Sequence, residues 1–422
     1  MEKTLYVFAI LSSILRSLVT KILVVSWVVY CLICLVWGIH ACVWFMSRDF
    51  RGLPPEKQEL FQAYRRLDIG QFSPVVSVVG SLVLLPIRLL LSALLGILNL
   101  LLFSVVVKVL PRAYSRPGAK KPCRGYDSWT VRFLHFSSAM INRSLLLIFG
   151  IVNINEHFTP ETQRSERDIG HLTTVVANHV SVLDILYFMM RIFPAFVSKA
   201  TVKTDPFFGP PAELLRCIFL DRSNPNDRLR ALKDIKARQL ALARQHSGED
   251  VSPETIPPFL VFPEGTTTSG RHVAEFKQGA FVSLEAVTPV VLIYRCYHFN
   301  LSFETTPLSV WVPLALSNPF PSSLDAYWLP DSGPKVTIDQ ASGDPLSPEE
   351  QLPLFVDNVR REMSQVLSTH QTWGPLHSVH RKLLRLPDDW HGSLRLKQQL
   401  EKQLSLLSRQ AVSNVDDAVK NE

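Results

Sequence analysis

The chain has 422 residues, of which 47% are hydrophobic and 19% are charged. This composition excludes a largely disordered chain, and six cysteines at this length exclude a small disulfide-rich scaffold. The formal net charge of +7 favours an anionic partner, but it does not choose among a membrane, a nucleic acid and an anionic substrate.

The first predicted element is a membrane-spanning helix over residues 22–46. These residues include no Asp, Glu, Lys or Arg, and about 25 helical residues are enough to cross roughly 30 Å of hydrocarbon. The preceding stretch, residues 5–20, is also apolar but carries Arg16, which favours a position along the membrane interface. The length of the run argues against a cleaved signal peptide, which is the alternative.

A second apolar run covers residues 75–107 and is interrupted by Pro86-Ile87-Arg88. Proline removes a helical hydrogen bond and arginine is costly inside a bilayer, so the run is either one helix that spans the membrane with a kink or two short helices that enter and leave the same leaflet as a hairpin. The segments on both sides of the run are rich in Lys and Arg, and the positive-inside rule places both on the cytosolic side. We therefore expect a monotopic hairpin.

Beyond about Pro117, short β-rich runs alternate with helical patterns. Strands are predicted at residues 173–176, 259–262 and 289–294, and helices at residues 226–245 and 347–367. This alternation predicts an α/β fold with a mostly parallel sheet flanked by helices, preceded by the N-terminal membrane helices.

The remaining segments complete a division into three regions. Residues 305–346 are rich in Pro, Ser and Gly, which predicts a loop with a short strand at 335–338. We expect a membrane-anchoring region at residues 1–115, a catalytic domain at 116–370 and a helical tail at 371–422. Leucines at helical spacing in the tail are compatible with packing on the domain or with lying on a membrane.

The first candidate for chemistry is the segment NHVSVLD, which contains His179 and Asp184 and follows a predicted strand. Positions five apart in a continuous helix lie about 140° apart, so these side chains can meet only where the chain turns from strand to helix. There the carboxylate could bind one ring nitrogen and raise the basicity of the other. With 12 histidines in the chain, this pattern alone is weak, and a structural role is at least as common.

Three further segments each offer a binding group of low specificity. In FPEGTTT, residues 262–268, glycine permits close approach of a ligand, and amides and hydroxyls can bind anionic oxygens. Arg222 follows an apolar run and could bind phosphate or form a surface ion pair. Lys277 in FKQGAF offers a second cation. Cysteine and histidine show no metal-site spacing, so no metal is expected.

Taken in this order behind an apolar anchor, these segments resemble the glycerolipid acyltransferase family. The resemblance covers residues 75–367. LLPIRLL, EGTTT, FKQGAF and VDNVRR are in addition similar to the lysophosphatidylcholine and lysophosphatidylethanolamine acyltransferase branch. One departure is Thr201, where relatives often carry glutamate after Lys-Ala.

The resemblance implies an enzyme that transfers a fatty acyl group from acyl-CoA to a lysophospholipid in phospholipid synthesis or remodelling. It implies acyl-CoA as co-substrate and no other cofactor, with His179 as general base and Asp184 as its orienting partner. Backbone amides near Gly265 and Thr266 are candidate donors to the oxyanion, and Glu264 would position the acceptor or brace its loop. The expected substrate-binding residues are Asn178, Arg222, Glu264, Gly265, Thr266 and Lys277.

Two alternatives stay open. The acceptor could be lysophosphatidic acid or glycerol 3-phosphate, or the chain could be an inactive lipid-binding scaffold on the same fold. Expected partners are membrane lipids, acyl-CoA and the lysophospholipid; nucleic acid is not expected, because the basic residues cluster beside apolar runs. The resemblance implies an endoplasmic reticulum membrane with the domain facing the cytosol.

Overall fold

The computed structural model describes residues 2–47, 66, 68, 71–109, 129–158, 174–205, 209–221, 224–247, 257–303, 305–335 and 346–370. The predicted tail, Arg222, most of the predicted strand at 335–338 and the boundary at 115 lie outside the described residues. The division into three regions therefore stays a prediction.

The described strands are β1 (Ile151–Phe158), β2 (Thr174–Ala177), β3 (Ala195–Lys199), β4 (Ile218–Leu220), β5 (Phe259–Val261), β6 (Val287–Arg295) and β7 (Ser322–Trp328). They form one sheet in the order β1-β7-β6-β2-β5-β3-β4. The β6–β7 pair is antiparallel and every other described pair is parallel. The predicted α/β class with a mostly parallel sheet is confirmed.

The described α-helices are α1 (Glu2–Met46), α2 (Pro74–Val109), α3 (Trp129–Ile148), α4 (Leu183–Arg191), α5 (Gly209–Leu214), α6 (Pro225–Ser247), α7 (Leu308–Ser317) and α8 (Pro348–His370). The helices predicted at 226–245 and 347–367 correspond to α6 and α8. The loop predicted at 305–346 is wrong in part, because α7 and β7 lie within it. Buried packing outweighs local composition in α7, whose residues after Ser309 are almost all buried despite Pro313.

Both faces of the sheet are buried, as is usual for parallel strands. In β2, Val175 belongs to the core beneath α4 and α7, whereas Val176 belongs to the core beneath α6 and α8. All described residues of β2 and β5 are buried. Because β2 and β5 are parallel neighbours, the segments that follow Ala177 and Val261 meet at one edge of the sheet.

Helix α1 is continuous from Glu2 to Met46, so the predicted separate interfacial segment at residues 5–20 is part of the same helix. Residues Arg16–Met46 are long and apolar enough to cross a membrane. Near the C-terminal end of α1, Ala41, Cys42 and Phe45 are buried in the core of the domain. The apolar residues Leu18 to Val29 are mostly exposed, so α1 extends away from the domain toward its N-terminus.

Helix α2 is one helix of 36 residues with Pro86 inside it, so the predicted hairpin of two short helices is wrong here. The single-helix alternative describes this segment. Residues Pro74–Val105 are also long and apolar enough to cross a membrane. The hairpin was favoured because proline and arginine interrupt the run, and both are accommodated by contacts with distant segments.

Those contacts come from α1 and from the C-terminal end of α7. The hydroxyl of Tyr30 donates to the carbonyl of Pro86 at 3.0 Å. The guanidinium of Arg88 donates to the carbonyls of Leu316 at 3.2 Å and Asn318 at 2.7 Å. A cation at a helix C-terminus is favourable, so the arginine is bound inside the protein.

The flanks of α2 both contact the domain. Before the helix, Phe72 stacks on His298 with ring centroids 5.0 Å apart. Near its other end, Phe103 stacks on Phe193 at 6.0 Å and shares a buried cluster with Leu134. At 1.5 Å per residue this places α2 along the domain for roughly 45 Å. The side turned away from the domain exposes apolar residues, among them Val75, Val79, Leu82, Val83, Leu90, Leu94, Leu98 and Leu101.

Candidate active site

The junction between β2 and α4 supplies the turn that the His-x4-Asp pattern requires. β2 ends at Ala177 and α4 begins at Leu183. Nδ1 of His179 lies 2.9 Å from Oδ2 of Asp184, so the predicted contact is present. The catalytic roles of the two residues stay predictions.

Asp184 is completely buried and accepts several hydrogen bonds. Its Oδ2 accepts from the amides of Val180 at 2.7 Å and Ser181 at 2.9 Å, and its Oδ1 accepts from the hydroxyl of Tyr294 at 2.6 Å. Since these neighbours all donate to the carboxylate, it acts as an acceptor toward His179 as well. Nδ1 of His179 therefore carries the proton of this contact, and Nε2 carries the lone pair.

Tyr294 is a residue of the site that the sequence analysis missed. Burial raises the pKa of Tyr294 well above its ordinary value of 10.0, and the negative charge of Asp184 raises it further. The hydroxyl therefore remains a donor at physiological pH. The one signal in the sequence was its position at the end of a predicted strand, and the pairing of β6 beside β2 brings it to the site.

The imidazole of His179 is held from one side by an aromatic ring. It stacks on Phe262, the residue after β5, with ring centroids 4.1 Å apart and planes 15° apart. The His179 side chain retains 19% exposure. Stacking and the Asp184 contact together fix the ring, and Nε2 is the nitrogen that remains for a substrate.

Glu264 joins the loop after β5 to the loop after β2. The side chain is buried; Oε1 accepts from the amide of His179 and Oε2 from the amide of Ala274, both at 2.7 Å. Two roles were predicted for Glu264, positioning the acceptor or bracing its loop, and these contacts match the bracing of the loop. A direct contact with the acceptor stays a prediction.

The predicted oxyanion donors, Gly265 and Thr266, differ in what their amides already bind. Gly265 has φ +66°, a conformation that favours glycine, and its amide donates to the carbonyl of Phe262 at 3.1 Å. The amide of Thr266 has no hydrogen-bond partner among the described residues. The amide of Thr268, two residues further along the chain, donates to the carbonyl of His179 at 2.8 Å. Thr266 is therefore the better candidate donor.

Asn178 has a structural role that the sequence analysis did not predict. It is buried; its side-chain nitrogen donates to the carbonyl of Leu292 at 3.0 Å, and its side-chain oxygen accepts from the amide of Leu292 at 2.7 Å. Both polar ends of the side chain are thus used within the protein. Asn178 therefore braces the end of β2 against β6, and a contact with the substrate stays a prediction.

Of the two cations predicted to bind phosphate, Lys277 is among the described residues. Lys277 is exposed, and its Cγ lies 3.8 Å from the position that a Cβ on Gly265 would occupy. The amide of Lys277 donates to the carbonyl of Pro263 at 2.8 Å, which holds the lysine against the loop. Lys277 therefore borders the candidate site, whereas Arg222 lies outside the described residues.

A second histidine follows the same loop. Burial, and to a lesser extent the neighbouring Arg271, lower the pKa of His272 to about 4, so its imidazole is neutral near pH 7. Within the described part of the chain, no three His, Cys, Asp or Glu side chains form a group that could hold a metal ion. The chemistry offered by these residues is proton transfer and hydrogen bonding.

A buried carboxylate that orients a histidine, with backbone amides beside it, suits base-catalysed acyl transfer. The model of the Acyltransferase family matches residues 156–294, which include both loops. Lysophospholipid acyltransferase LPEAT1 of Arabidopsis thaliana is 28% identical over 293 residues, which are 61% of this chain and 72% of that protein. Residues 156–294 therefore match the Acyltransferase family, and this match together with these relatives identifies the chain as an acyltransferase enzyme, as its motifs indicated.

Within the family the chain is similar to other lysophospholipid acyltransferases. Lysophospholipid acyltransferase LPCAT4 of Homo sapiens is 27% identical over 67% of this chain and 50% of that protein. Lysophosphatidylcholine acyltransferase 1 of Danio rerio is 29% identical over 46% of this chain and 33% of that protein. The similarity to the chain therefore spans half or less of the length of these two relatives. With its two long apolar helices, it is a membrane-associated acyltransferase.

Proposed function

We propose that this protein transfers a fatty acyl group from acyl-CoA to a lysophospholipid in phospholipid synthesis or remodelling. The observation that carries the proposal is the contact between His179 and buried Asp184, which leaves Nε2 for a substrate hydroxyl. The names of the similar proteins support a lysophospholipid acceptor, and one of them names lysophosphatidylcholine. Lysophosphatidylethanolamine is the second acceptor that the sequence motifs suggest. Acyl-CoA is the acyl donor, and no other cofactor is required.

The proposed reaction is a direct transfer. Nε2 of His179 takes the proton of the acceptor hydroxyl as its oxygen attacks the thioester carbonyl carbon. A carbon–oxygen bond forms, the carbon–sulfur bond breaks, and protonated His179 returns the proton to the sulfur of CoA. The amide of Thr266 donates to the oxyanion of the tetrahedral intermediate. Lys277 and Arg222 bind phosphate groups of CoA or of the acceptor.

The test is acyl transfer in membranes that contain the full chain. The acceptors are lysophosphatidylcholine, lysophosphatidylethanolamine, lysophosphatidic acid and glycerol 3-phosphate. We expect transfer to a lysophospholipid with a head group, and a loss of about 10³-fold or more in His179→Ala, since the base is removed. His157→Ala is the matched control, because His157 lies on β1 with a side chain 45% exposed.

The other outcomes contradict the proposal in distinct ways. Transfer only to lysophosphatidic acid or glycerol 3-phosphate would assign the enzyme to phosphatidate synthesis. Folded, lipid-bound protein without transfer to any acceptor would favour the scaffold alternative. Activity retained in His179→Ala would remove the proposed base.

We also propose that α2 lies in the plane of the membrane, in the endoplasmic reticulum, with the catalytic domain on the cytosolic side. Contacts of Phe72 and Phe103 with the domain support this, because a helix crossing the bilayer would carry one of its ends away from the domain. The apolar outer side of α2 would then face the hydrocarbon. The basic segments on both sides of α2 would remain in the cytosol.

Protease sites inserted after Glu59 and after Gly118, one on each side of α2, test this orientation. In sealed microsomes we expect both sites to be cut by protease added outside. Cleavage at only one of the two sites would mean that α2 crosses the bilayer. Cleavage at neither site would place the domain in the lumen.

A further inference from the structure

Two charged residues between α1 and α2 are almost completely buried. Arg66 is 5% exposed and Asp68 is 3% exposed. They form a forked ion pair, with Nε of Arg66 3.0 Å from Oδ1 of Asp68 and Nη2 2.7 Å from Oδ2. Removing two charges from water is costly, so such a pair persists only where further hydrogen bonds satisfy it. We call Arg66 and Asp68 the clasp.

The further hydrogen bonds go to the loop that follows β6. Arg66 donates to the carbonyls of Asn300 at 2.5 Å and Ser302 at 3.2 Å, and to the hydroxyl of Thr306 at 3.4 Å. Asp68 accepts from the amide of Asn300 at 2.6 Å. The clasp therefore fixes the backbone of this loop at several points.

The clasp also contacts the ends of the two apolar helices. The guanidinium of Arg66 lies 5.0 Å from the ring centroid of Phe45, in the last turn of α1, and 4.5 Å from that of Phe299. The carbonyl of Asp68 accepts from the amide of Phe72, directly before α2, at 3.0 Å. The position of the clasp is thus set by the end of α1 and the start of α2.

The same loop is bonded to both catalytic loops through one residue. The amide of Phe303 donates to the carbonyl of Val180 at 2.7 Å. The carbonyl of Phe303 accepts from the hydroxyl of Thr267, in the loop after β5. Val180 in turn donates its own amide to Asp184 at 2.7 Å. A continuous path of contacts therefore runs from the apolar helices to Asp184.

We propose that the clasp positions the His179–Asp184 pair from the membrane anchor. Arg66 and Asp68 do not touch the reacting atoms; they hold the loop around Phe303, which in turn sets the distance between the loops after β2 and β5. This inference rests on the proposed function of His179. It means that the end of α1 and the start of α2, where they contact the clasp, are coupled to the rate of acyl transfer through hydrogen bonds that can be removed one at a time.

The test uses Arg66→Lys, Thr267→Val and the double variant, in the full chain in membranes. Arg66→Lys keeps the charge and loses the fork, and Thr267→Val removes the hydroxyl bond to Phe303 at similar volume. In each single variant we expect kcat to fall by about tenfold, with KM for acyl-CoA within twofold of wild type, because orientation is lost and binding is kept. The double variant should lose less than the product of the single losses, since both changes break one path.

The pH–rate profile separates positioning from loss of stability. If the contact between Asp184 and His179 is weaker, the protonated imidazole of His179 is less stable. The acid limb of the pH–rate profile should therefore move to lower pH in both single variants. A loss of folded protein would lower the rate without shifting the acid limb of the pH–rate profile. Arg143→Lys is the matched control: Arg143 donates to the carbonyls of Ile151 at 3.0 Å and Val152 at 2.6 Å, on β1. It should keep the wild-type profile.

Wild-type kcat and pH profile in Arg66→Lys would overturn the inference, and so would single losses that multiply in the double variant. If Arg66→Lys fails to accumulate, Thr267→Val decides alone, and an unchanged profile there contradicts the proposal. Absence of transfer in the wild-type chain would instead contradict the proposed function, so the two failures are distinguishable.

Discussion

The junction around His179 and the contact between the apolar helices and the domain are both buried, and different forces hold them. At the junction, directional hydrogen bonds fix each group: Asp184 and Glu264 together accept from the backbone amides of Val180, Ser181, His179 and Ala274. An imidazole that must meet a hydroxyl within hydrogen-bond distance needs this control of orientation.

The helix contact depends on the absence of side chains. A Cβ on Gly80 of α2 would lie 1.9 Å from the carbonyl oxygen of Ser317 at the end of α7. A Cβ on Gly38 of α1 would lie 1.9 Å from Oγ of Ser81. Backbones approach closely at these two points, and dispersion over the contact holds the helices. Shape decides these two close approaches, whereas the catalytic junction requires directed bonds.

The largest effect that separates the two regions is expected for Gly80→Ala. The added methyl group collides with a backbone oxygen that cannot rotate away, and overpacking of this kind costs about 3 kcal/mol. We expect a lower thermal midpoint in detergent, with kcat per folded molecule and the pH–rate profile close to wild type. Gly333→Ala is the matched control, because its Cβ would meet only Ala286 Cβ at 3.8 Å.

A thermal midpoint for Gly80→Ala equal to that of Gly333→Ala would mean that α2 does not depend on this close approach. A changed pH–rate profile would contradict the distinction itself. The contact between α2 and α7 would then influence the orientation of His179.

The same distinction explains how much could be predicted from sequence. The contact between His179 and Asp184 is local, since one turn between β2 and α4 brings them together, and its geometry could be predicted from spacing. Of the described strands, β2, β5 and β6 were predicted from their apolar runs, whereas β7 lies in a segment predicted as a loop. The hairpin prediction failed because the partners of Pro86 and Arg88 are distant: Tyr30 is 56 positions away and Asn318 is 230.

Long-range pairing also explains the contacts within the site that were not predicted. Asn178 carries a side chain typical of substrate binding, but both of its polar ends bind Leu292, 114 positions away. Tyr294 was predicted only as part of a strand, and its contact with Asp184 spans 110 positions. Composition and spacing carry information about residues that are close to one another along the chain. Both of these contacts depend instead on the order of strands in the sheet, which places β6 beside β2.

The smaller effect, and the sharper test of the hydrogen-bonded region, is expected for Tyr294→Phe. Removing the hydroxyl takes one donor from Asp184 and leaves the ring volume unchanged. The negative charge of the carboxylate then acts more strongly on His179, so the protonated imidazole becomes more favourable. We expect kcat to fall by about tenfold and the acid limb of the pH–rate profile to move to higher pH, the opposite direction from Arg66→Lys.

Tyr187→Phe is the matched control for Tyr294→Phe. Burial raises the pKa of Tyr187 well above its ordinary value, as it does for Tyr294, and its hydroxyl donates to Oε1 of Glu156 at 2.7 Å, away from Asp184. Both variants lose one hydroxyl–carboxylate bond, and Tyr187→Phe also removes the acceptor of Nε1 of Trp328 at 3.1 Å, so its loss of stability should be at least as large. If Tyr187→Phe moves the acid limb of the pH–rate profile as far as Tyr294→Phe does, the shift results from a general loss of packing in the core. The bond between Tyr294 and Asp184 would then have no specific effect on the basicity of His179.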